Sequence, residues 1–254
     1  MPSTESDVTA AGSPGSKWML FGRRAALELA LIGALYYLYH LGRLAISNHE
    51  ERAMDNAHHI HRLEQVLHLP SEAWIQDSLS NIPHLFTVAN TYYVYVHFPI
   101  TIAFLVWGFV VRPRAEYVWA RNVMVVQTFL ALTLHFLMPL APPRMFPDWG
   151  FIDTMTLYGP SAYDGASASV ANQYAAMPSL HVGWALLIAV VVTRTASRPW
   201  YVLAWIHAAV TIAVVTVTAN HWWLDGIVAA GLLAVALLVV HVAPARGRPQ
   251  LVVE

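Results

Sequence analysis

Asn220-His221-Trp222-Trp223-Leu224-Asp225-Gly226 stands at the start of the last long apolar segment of the chain. On a helix, a spacing of four residues places His221 and Asp225 on one face, one above the other. The carboxylate can then accept a proton from one imidazole nitrogen, which fixes the tautomer and leaves the other nitrogen free to attack. An Asp at the centre of a membrane helix costs about 2.5–3.5 kcal/mol, so the pair is a candidate site. The alternative is a pair that only holds two helices together.

A second histidine motif, Ala176-Met177-Pro178-Ser179-Leu180-His181-Val182-Gly183-Trp184, also opens a long apolar segment. Pro178 at a helix start, followed by Ser179, is expected to aim free backbone N–H groups and a hydroxyl at an anion. Asn220 is predicted to be the N-cap of the last helix and to give that terminus the same character.

The composition is that of a membrane protein. Of the 254 residues, 57% are hydrophobic and 11% are charged, whereas soluble domains carry about 25% charged residues. The net charge of −1, without a basic stripe among aromatic residues, excludes a strongly basic nucleic-acid binder. The absence of cysteine removes disulfides, thiolate metal sites and cysteine nucleophiles.

Six apolar stretches are long enough to cross a hydrocarbon layer, which takes about 20 helical residues. They lie near 24–46, 88–111, 117–139, 178–196, 200–219 and 221–243. The expected fold is therefore all-α, a polytopic six-helix membrane bundle that forms one domain over 24–244. Residues 1–23 are predicted to be a disordered cytoplasmic tail, and 245–254 a second cytoplasmic tail. The apolar run after Arg23-Arg24 is too long for a signal peptide and is expected to stay as a membrane helix.

The basic residues predict the orientation. With a cytoplasmic N-terminus, ten of the 14 Lys and Arg residues fall on the cytoplasmic side: Lys17, Arg23, Arg24, Arg112, Arg114, Arg121, Arg194, Arg198, Arg246 and Arg248. The positive-inside rule then predicts cytoplasmic termini, and we expect the protein in the plasma membrane. Arg144 and both histidine motifs would meet at the extracytoplasmic face.

The insert at 47–83, between the first two spans, is predicted to lie in the membrane interface. Its helix would place Ile60, Leu63, Val66 and Leu67 on one apolar face, and a second helix would restart after Pro70. The cluster formed by three histidines invites a metal hypothesis, although adjacent histidines on a helix point apart and a solvated face is favoured. Those histidines are His58, His59 and His61.

Other polar residues in the spans leave alternatives open. Tyr93 belongs either to an aromatic belt or to a binding site, and His97 and His135 serve either helix packing or the site. All three are kept as further candidate substrate-binding residues. Histidines without a companion motif are expected to be core or interfacial: His40, His207 and His241.

The third predicted span ends at Pro139-Leu140-Ala141-Pro142-Pro143-Arg144, where the prolines stiffen the turn. The planar guanidinium of an arginine held there matches phosphate oxygens, although Arg144 could also serve only as an interfacial anchor. The extracytoplasmic loop 140–177 that follows is long enough to be functional. Its aspartates are predicted to be solvated: Asp148, Asp153 and Asp164.

Together these motifs suggest phosphoryl transfer. Arg144, Ser179 and the helix starts, including Asn220, would bind the phosphate. His221, oriented by Asp225, suits the nucleophile that forms a phosphohistidine, and His181 suits the general acid. Arginine and N–H dipoles can stabilise the transferring charge, so the chemistry requires neither a metal nor another cofactor.

These residues resemble the type 2 phosphatidic acid phosphatase superfamily, whose members share Pro-Ser-x-His and His-x-x-x-Asp motifs, here Pro178–His181 and His221–Asp225. Two further stretches are similar to its inositol phosphorylceramide synthase-like branch, Ala141-Pro142-Pro143-Arg144 and Asn90-Thr91-Tyr92-Tyr93 with His97-Phe98-Pro99. The resemblance implies a six-helix bundle that acts on a phospholipid or lipid phosphate through a phosphohistidine.

The chain also departs from the superfamily pattern. Arg112-Pro113 lies on the predicted cytoplasmic side, and Val214 and Val215 stand where relatives carry Ser-Arg. Phosphate binding would then depend more on Arg144 and the helix termini. Fewer basic residues favour a phosphodiester, with one negative charge, and hence transfer of an inositol phosphate-like headgroup to a lipid alcohol.

Three alternatives stay open from the sequence. The first is a lipid-phosphate phosphatase that uses water as the acceptor. The second is a membrane transporter with a His/Asp proton relay, and the third is a histidine-ligated metal oxidase.

Overall fold

The computed structural model describes residues 14–46, 50–163 and 172–242. The chain divides into two units, residues 1–41 and 42–254. Most of helix α1 (Pro14–Ile46) belongs to the first unit, and the predicted span 24–46 lies within this helix. The prediction of disorder is wrong for 14–23, which is helical; proline is well suited to a first helical position. The remainder of the predicted N-terminal tail and the C-terminal tail lie outside the described residues.

The second unit contains nine α-helices among its described residues: α2 (Glu50–Val66), α3 (Glu72–Leu79), α4 (Leu85–Tyr95), α5 (His97–Val111), α6 (Arg114–Leu137), α7 (Thr154–Tyr158), α8 (Leu180–Thr195), α9 (Arg198–Val217) and α10 (Trp223–Val242). Two 3-10 turns, Pro143–Met145 and Pro147–Trp149, precede α7. The described residues form no β-strand beyond one isolated bridge, from Leu140 to Ala175. The all-α class is therefore confirmed.

Four helical segments in the described part of the chain are long and apolar enough to cross a bilayer: Leu85–Val111, Arg114–Leu137, Arg198–Val217 and Trp223–His241. Helix α8 is apolar but has only 16 residues. The chain is thus a membrane protein by the length and composition of its helices. The six-span arrangement and the interfacial position of 47–83 stay predictions.

The second predicted span is interrupted at Val96, which separates α4 from α5. Pro99 follows three residues later and has no N–H to donate to the carbonyl of Tyr95. The helix continues past this point because Ile100 N donates to Val96 O at 3.1 Å. The interruption places His97 at the start of α5, inside the bundle and almost fully buried.

Small and aliphatic side chains form the core between α6, α8, α9 and α10. Its buried members include Val123, Ala185, Leu187, Ala189, Ala208, Leu233 and Ala236. Alanines at these contacts let the helix backbones approach closely, the packing that replaces the hydrophobic effect between helices within a bilayer. This packing fixes the ends of α6, α8, α9 and α10, from which the loops of the candidate site emerge.

Helices α2 and α3 occur where a broken helix was predicted, with Ser71 as the N-cap of α3. The face of α2 that packs on the protein carries Ala53, Ala57 and Glu64, all buried. The predicted apolar face of α2 points away from the protein, with Leu63 44% exposed and Val66 66% exposed. A buried acidic residue on α2 therefore contacts the rest of the bundle.

We expect Gly183→Ala to destabilise the bundle. A Cβ atom at Gly183 would lie 2.7 Å from Nε2 of Gln127, which donates to Ala229 O across the helices. Loss of that bond should lower the apparent melting temperature in detergent by about 2–4 °C for each kcal/mol lost. Gly231→Ala, which meets nothing within 4 Å, is the matched control and should be neutral or stabilising. Equal melting temperatures for the two variants would contradict the packing argument.

Candidate active site

Backbone hydrogen bonds tie together three inter-helix connections at one end of the second unit, those after α6, before α8 and before α10. The bonds run from Leu140 N to Tyr174 O (2.8 Å), from Ala176 N to Leu140 O (3.2 Å), from Arg144 N to Ala219 O (2.9 Å) and from Ser179 N to Asp225 O (3.1 Å). Since buried backbone groups must be paired, these bonds fix the positions of the three motifs relative to one another.

The tautomer of His221 is fixed by its two acceptors. Its Nδ1 atom lies 2.8 Å from Ala176 O and 3.2 Å from Oδ2 of Asp225. A carbonyl oxygen can only accept, so Nδ1 carries the proton and shares it between these oxygens. The lone pair of the neutral ring is therefore on Nε2, which is buried and has no partner among the protein's atoms. His221 thus has the form that a nucleophilic imidazole requires.

Asp225 lies in the first turn of α10, but His221 precedes that helix. The prediction that the two share a helical face is therefore wrong, although their side chains do meet. Asp225 Oδ2 also accepts from Trp222 N at 2.8 Å, the reciprocal bond of a capping box, so the chain before the helix turns back on the carboxylate.

Asn220 is not the N-cap that we expected. Its amide donates to Thr218 Oγ1 at 2.8 Å, and its Oδ1 atom accepts from Nε of Arg144 at 3.2 Å. The preceding residue, Ala219, has a φ of 50° and is fully buried. This left-handed residue ends the turn after α9 and directs Asn220 towards the arginine instead of the helix start.

His181 lies beside His221, with a ring-centroid distance of 5.9 Å. Tyr93 stacks on His181 at 4.1 Å, and His97 and Phe98 contact it at 4.8 and 5.2 Å. Nε2 of His181 has no partner within the protein. The two predicted catalytic imidazoles and Tyr93 are therefore brought together from α4, from α8 and from the connection before α10.

Arg144 is 7% exposed and is held by several groups at once. Nε donates to Asn220, Nη1 donates to Asp153 Oδ2 at 3.1 Å, and the guanidinium lies 4.1 Å from the centroid of the Tyr163 ring. Burial alone would lower the pKa of Arg144, but Tyr163 and Asp153 outweigh it and raise this pKa. The arginine is thus a fixed cation, and its Nη2 atom has no partner within the protein.

Asp153 is a site residue that the sequence did not reveal, since all three loop aspartates were expected to be solvated. Its Oδ1 atom caps α7 by accepting from Met155 N and Thr156 N, each at 3.1 Å, while Oδ2 pairs with Arg144. Asp148 is exposed, and Asp164 lies outside the described residues. Only the folded loop could show that Asp153 offsets the charge of Arg144.

Ser179 is the N-cap of α8, and its hydroxyl oxygen accepts from Val182 N at 3.3 Å. We had expected Pro178 at the start of the helix, but it lies one residue before the N-cap. Nε2 of buried His135 donates to Pro178 O at 3.0 Å. His135 thus contacts the backbone of the Pro-Ser-Leu-His turn and helps to position that turn.

A chain of buried polar side chains continues from His181 into the bundle. His97 stacks on His207 at 5.5 Å, and Nδ1 of His207 lies 2.5 Å from the hydroxyl of Tyr92. Thr211 is also hydrogen-bonded to Tyr92, at 3.0 Å. From the sequence we expected His207 to be a core or interfacial residue. It is buried, and it stacks on His97, which in turn contacts His181.

The histidines proposed for a metal site pack against aromatic rings. His61 stacks on Trp149 at 4.5 Å, and His58 meets the same ring edge-on at 4.7 Å. Among the described residues, no group of three or more His, Cys, Asp or Glu side chains has the arrangement of a metal site.

Val214 and Val215 are buried in an apolar cluster with Tyr93, Met155 and Val182. The positions where superfamily members carry Ser-Arg therefore supply packing and no positive charge.

The sequence profile of the PAP2 superfamily matches residues 58–239. The chain belongs to the PAP2 superfamily. No curated protein and no solved structure gives a significant match.

The match runs from within α2 to near the end of α10, so it includes both histidine motifs, Arg144 and Asp153. Membership in the PAP2 superfamily indicates a phosphatase- or phosphotransferase-type enzyme with a lipid phosphate substrate, embedded in the membrane by its apolar helices.

We expect Asp153→Asn to strengthen anion binding at Arg144. The asparagine can still cap α7, but it no longer neutralises the guanidinium. Inorganic phosphate should therefore raise the melting temperature of the variant at severalfold lower concentration than it does for the unmodified protein. Asp148→Asn, in the same loop, is the matched control. An unchanged phosphate dependence in Asp153→Asn would show that Arg144 does not bind phosphate in this way.

Proposed function

We propose that the protein is an integral-membrane lipid phosphotransferase in which His221 attacks the phosphorus of a phospholipid or lipid phosphate. The observation that carries the proposal is the fixed tautomer of His221, which leaves Nε2 unprotonated and without a partner. The centroid of this ring lies 5.9 Å from that of His181. Arg144 supplies a permanent positive charge near the two histidines, because it is hydrogen-bonded to Asn220, the residue next to His221.

The reaction has two steps. In the first, Nε2 of His221 forms a bond to phosphorus, and the phosphorus–oxygen bond to the leaving group breaks as protonated His181 gives that oxygen its proton. Asp225 and Ala176 O stabilise the positive charge on the His221 ring through Nδ1–H. In the second, His181 takes the proton of an acceptor hydroxyl, whose oxygen displaces the histidine and restores both rings. The unpartnered Nη2 of Arg144 and the hydroxyl of Ser179 are the donors for phosphate oxygens.

The charges around the site support a phosphodiester donor. Asp153 pairs with Arg144, and valines occupy the positions where superfamily members carry Ser-Arg. Arg144 is partly neutralised and so can compensate little negative charge. A phosphodiester, which carries one negative charge, fits such a site better than a phosphomonoester, which carries two. The reaction would then transfer a headgroup phosphate, of the inositol phosphate type, to a lipid alcohol.

Water is the second candidate acceptor. Nε2 of His181 has no partner within the protein, so it could take the proton of a water molecule as well as that of an alcohol. In that case the protein would be a lipid-phosphate phosphatase, with the same covalent intermediate.

The membrane arrangement that we propose has six spans, α1, α4–α5, α6, α8, α9 and α10, with α2 and α3 in the interface. The exposed apolar side chains of α2 and α3, such as Val66 and Trp74, support contact with lipid. The distribution of Lys and Arg along the sequence, with ten of the 14 in the segments predicted to be cytoplasmic, supports cytoplasmic termini and an extracytoplasmic site in the plasma membrane.

His221→Ala should abolish turnover because it removes the nucleophile and the covalent intermediate. The assay incubates purified protein in detergent with radiolabelled phosphatidylinositol, phosphatidic acid and prenyl phosphates, with and without lipid alcohols. Release of free phosphate indicates the phosphatase, and a new phosphodiester indicates the transferase. His59→Ala, an exposed histidine, is the control for expression and general activity. Full activity of His221→Ala would end the proposal.

His181→Gln should lose activity in proportion to how poor the leaving group is. A general acid matters most when the departing alkoxide is basic, so we expect a loss of about 100-fold or more with an alkyl phosphate. With a p-nitrophenyl ester the loss should be much smaller, because this leaving group needs no proton. Equal losses on both substrates would assign His181 to binding instead of proton transfer.

A further inference from the structure

Three successive backbone N–H groups at the start of α10 each donate to a buried carboxyl group. Trp222 N donates to Asp225 Oδ2 at 2.8 Å, Trp223 N to Glu72 Oε1 at 3.0 Å, and Leu224 N to Glu64 Oε1 at 2.9 Å. The carboxyl groups come from α10 itself, α3 and α2. The helix start next to His221 is therefore held from three elements, and two of them lie outside the motifs.

Glu64 and Glu72 are each 3% exposed. Neither forms an ion pair with a Lys or Arg within the described ranges of the chain. Glu64 Oε2 is buried and has no hydrogen-bond partner among the described residues. Because the two carboxyl groups accept from the consecutive N–H groups of Trp223 and Leu224, they lie close enough for a proton on one of them to be shared with the other. Two buried carboxylates held on consecutive N–H groups cannot both be ionised without strong repulsion.

The electrostatic surroundings agree with a retained proton. Burial, the neighbouring Glu72 and Asp225 raise the pKa of Glu64 to about 9, against the bonds from Leu224 N–H. Burial and Asp225 also raise the pKa of Glu72. The other titratable groups near the helix start are His221 and His61, which packs against Trp222; neither brings a permanent positive charge.

We propose that Glu64 and Glu72 form a carboxyl–carboxylate pair that shares one proton, and that this pair positions His221 and Asp225 by holding the start of α10. The negative charge of the pair complements the N-terminus of the helix, and the shared proton removes the repulsion between the two side chains. Both glutamates are positioning residues, since neither touches the reacting atoms. The effect on catalysis rests on the proposed function, whereas the shared proton does not.

The shared proton makes the fold sensitive to alkaline pH. Between pH 4.5 and about 9 the folded protein holds a proton on Glu64 that the unfolded chain has lost. Stability from this group therefore falls as the pH rises through that range, and it is gone above about 9. Deprotonation would push α2 and α3 away from α10 and release Trp223 and Leu224.

The decisive variant is Glu64→Gln, which keeps an acceptor for Leu224 N–H and a donor for Glu72 but cannot lose a proton. We measure the melting temperature in detergent and kcat from pH 6 to 10. Glu64→Gln should keep kcat within about threefold at pH 7 and should lose less stability than the unmodified protein between pH 7 and 10. Glu51→Gln, an exposed glutamate on the same helix, is the matched control and should follow the unmodified protein.

Glu64→Ala removes the acceptor and should lower kcat at least about tenfold with little change in KM, because positioning and not binding is lost. Rescue by glutamine at the same position separates this effect from general loss of the fold. Identical pH dependence of the melting temperature in Glu64→Gln and the unmodified protein would overturn the shared proton. Unchanged kcat in Glu64→Ala would overturn the positioning role. The melting-temperature result can be obtained whatever His221→Ala shows, since it needs no substrate, whereas the kcat result requires turnover.

Discussion

Buried backbone polar groups must find partners within the protein, and at this end of the bundle that requirement organises everything else. The connections after α6, before α8 and before α10 leave helical geometry, so their N–H and C=O groups cannot be satisfied within one helix. They pair with one another instead, as in the bond from Ser179 N to Asp225 O. Because each connection carries one motif, satisfying the backbone also assembles Arg144, His181 and His221.

The same requirement sets the chemistry. Ala176 O, left without a helical partner, accepts the proton of His221 Nδ1 and so leaves the lone pair on Nε2, the nitrogen that attacks in the proposed mechanism. At the start of α10, the free N–H groups are satisfied by side chains from α2 and α3, which places acidic residues next to a site that is proposed to bind an anion. Asp153 likewise sits against Arg144. Positive charge is therefore scarce here, which is the physical basis for proposing a phosphodiester donor.

The sequence predicted most of the helices because a long apolar run has few other structures open to it. It did not reveal that another face of α2 is packed on the protein and carries the buried Glu64, which accepts from Leu224 N of α10. It also placed Asn220 at a helix cap, although the polypeptide turns at Ala219 and directs that side chain to Arg144. Neither point could be detected from residue spacing, since both depend on what lies opposite the residue in the folded protein.

By itself, the sequence determined the class of the protein and its reactive groups, since hydrophobic length and the two histidine motifs are local properties of the chain. Tertiary structure alone decided the state of those groups. The tautomer of His221 depends on Ala176, 45 residues away in the sequence, and the partial neutralisation of Arg144 by Asp153 depends on how the loop between them folds. The proposed pairing of Glu64 with Glu72 depends on the turn between α2 and α3, which brings both side chains to the start of α10. Such effects fall off within a few ångströms, so only the folded positions determine which groups interact.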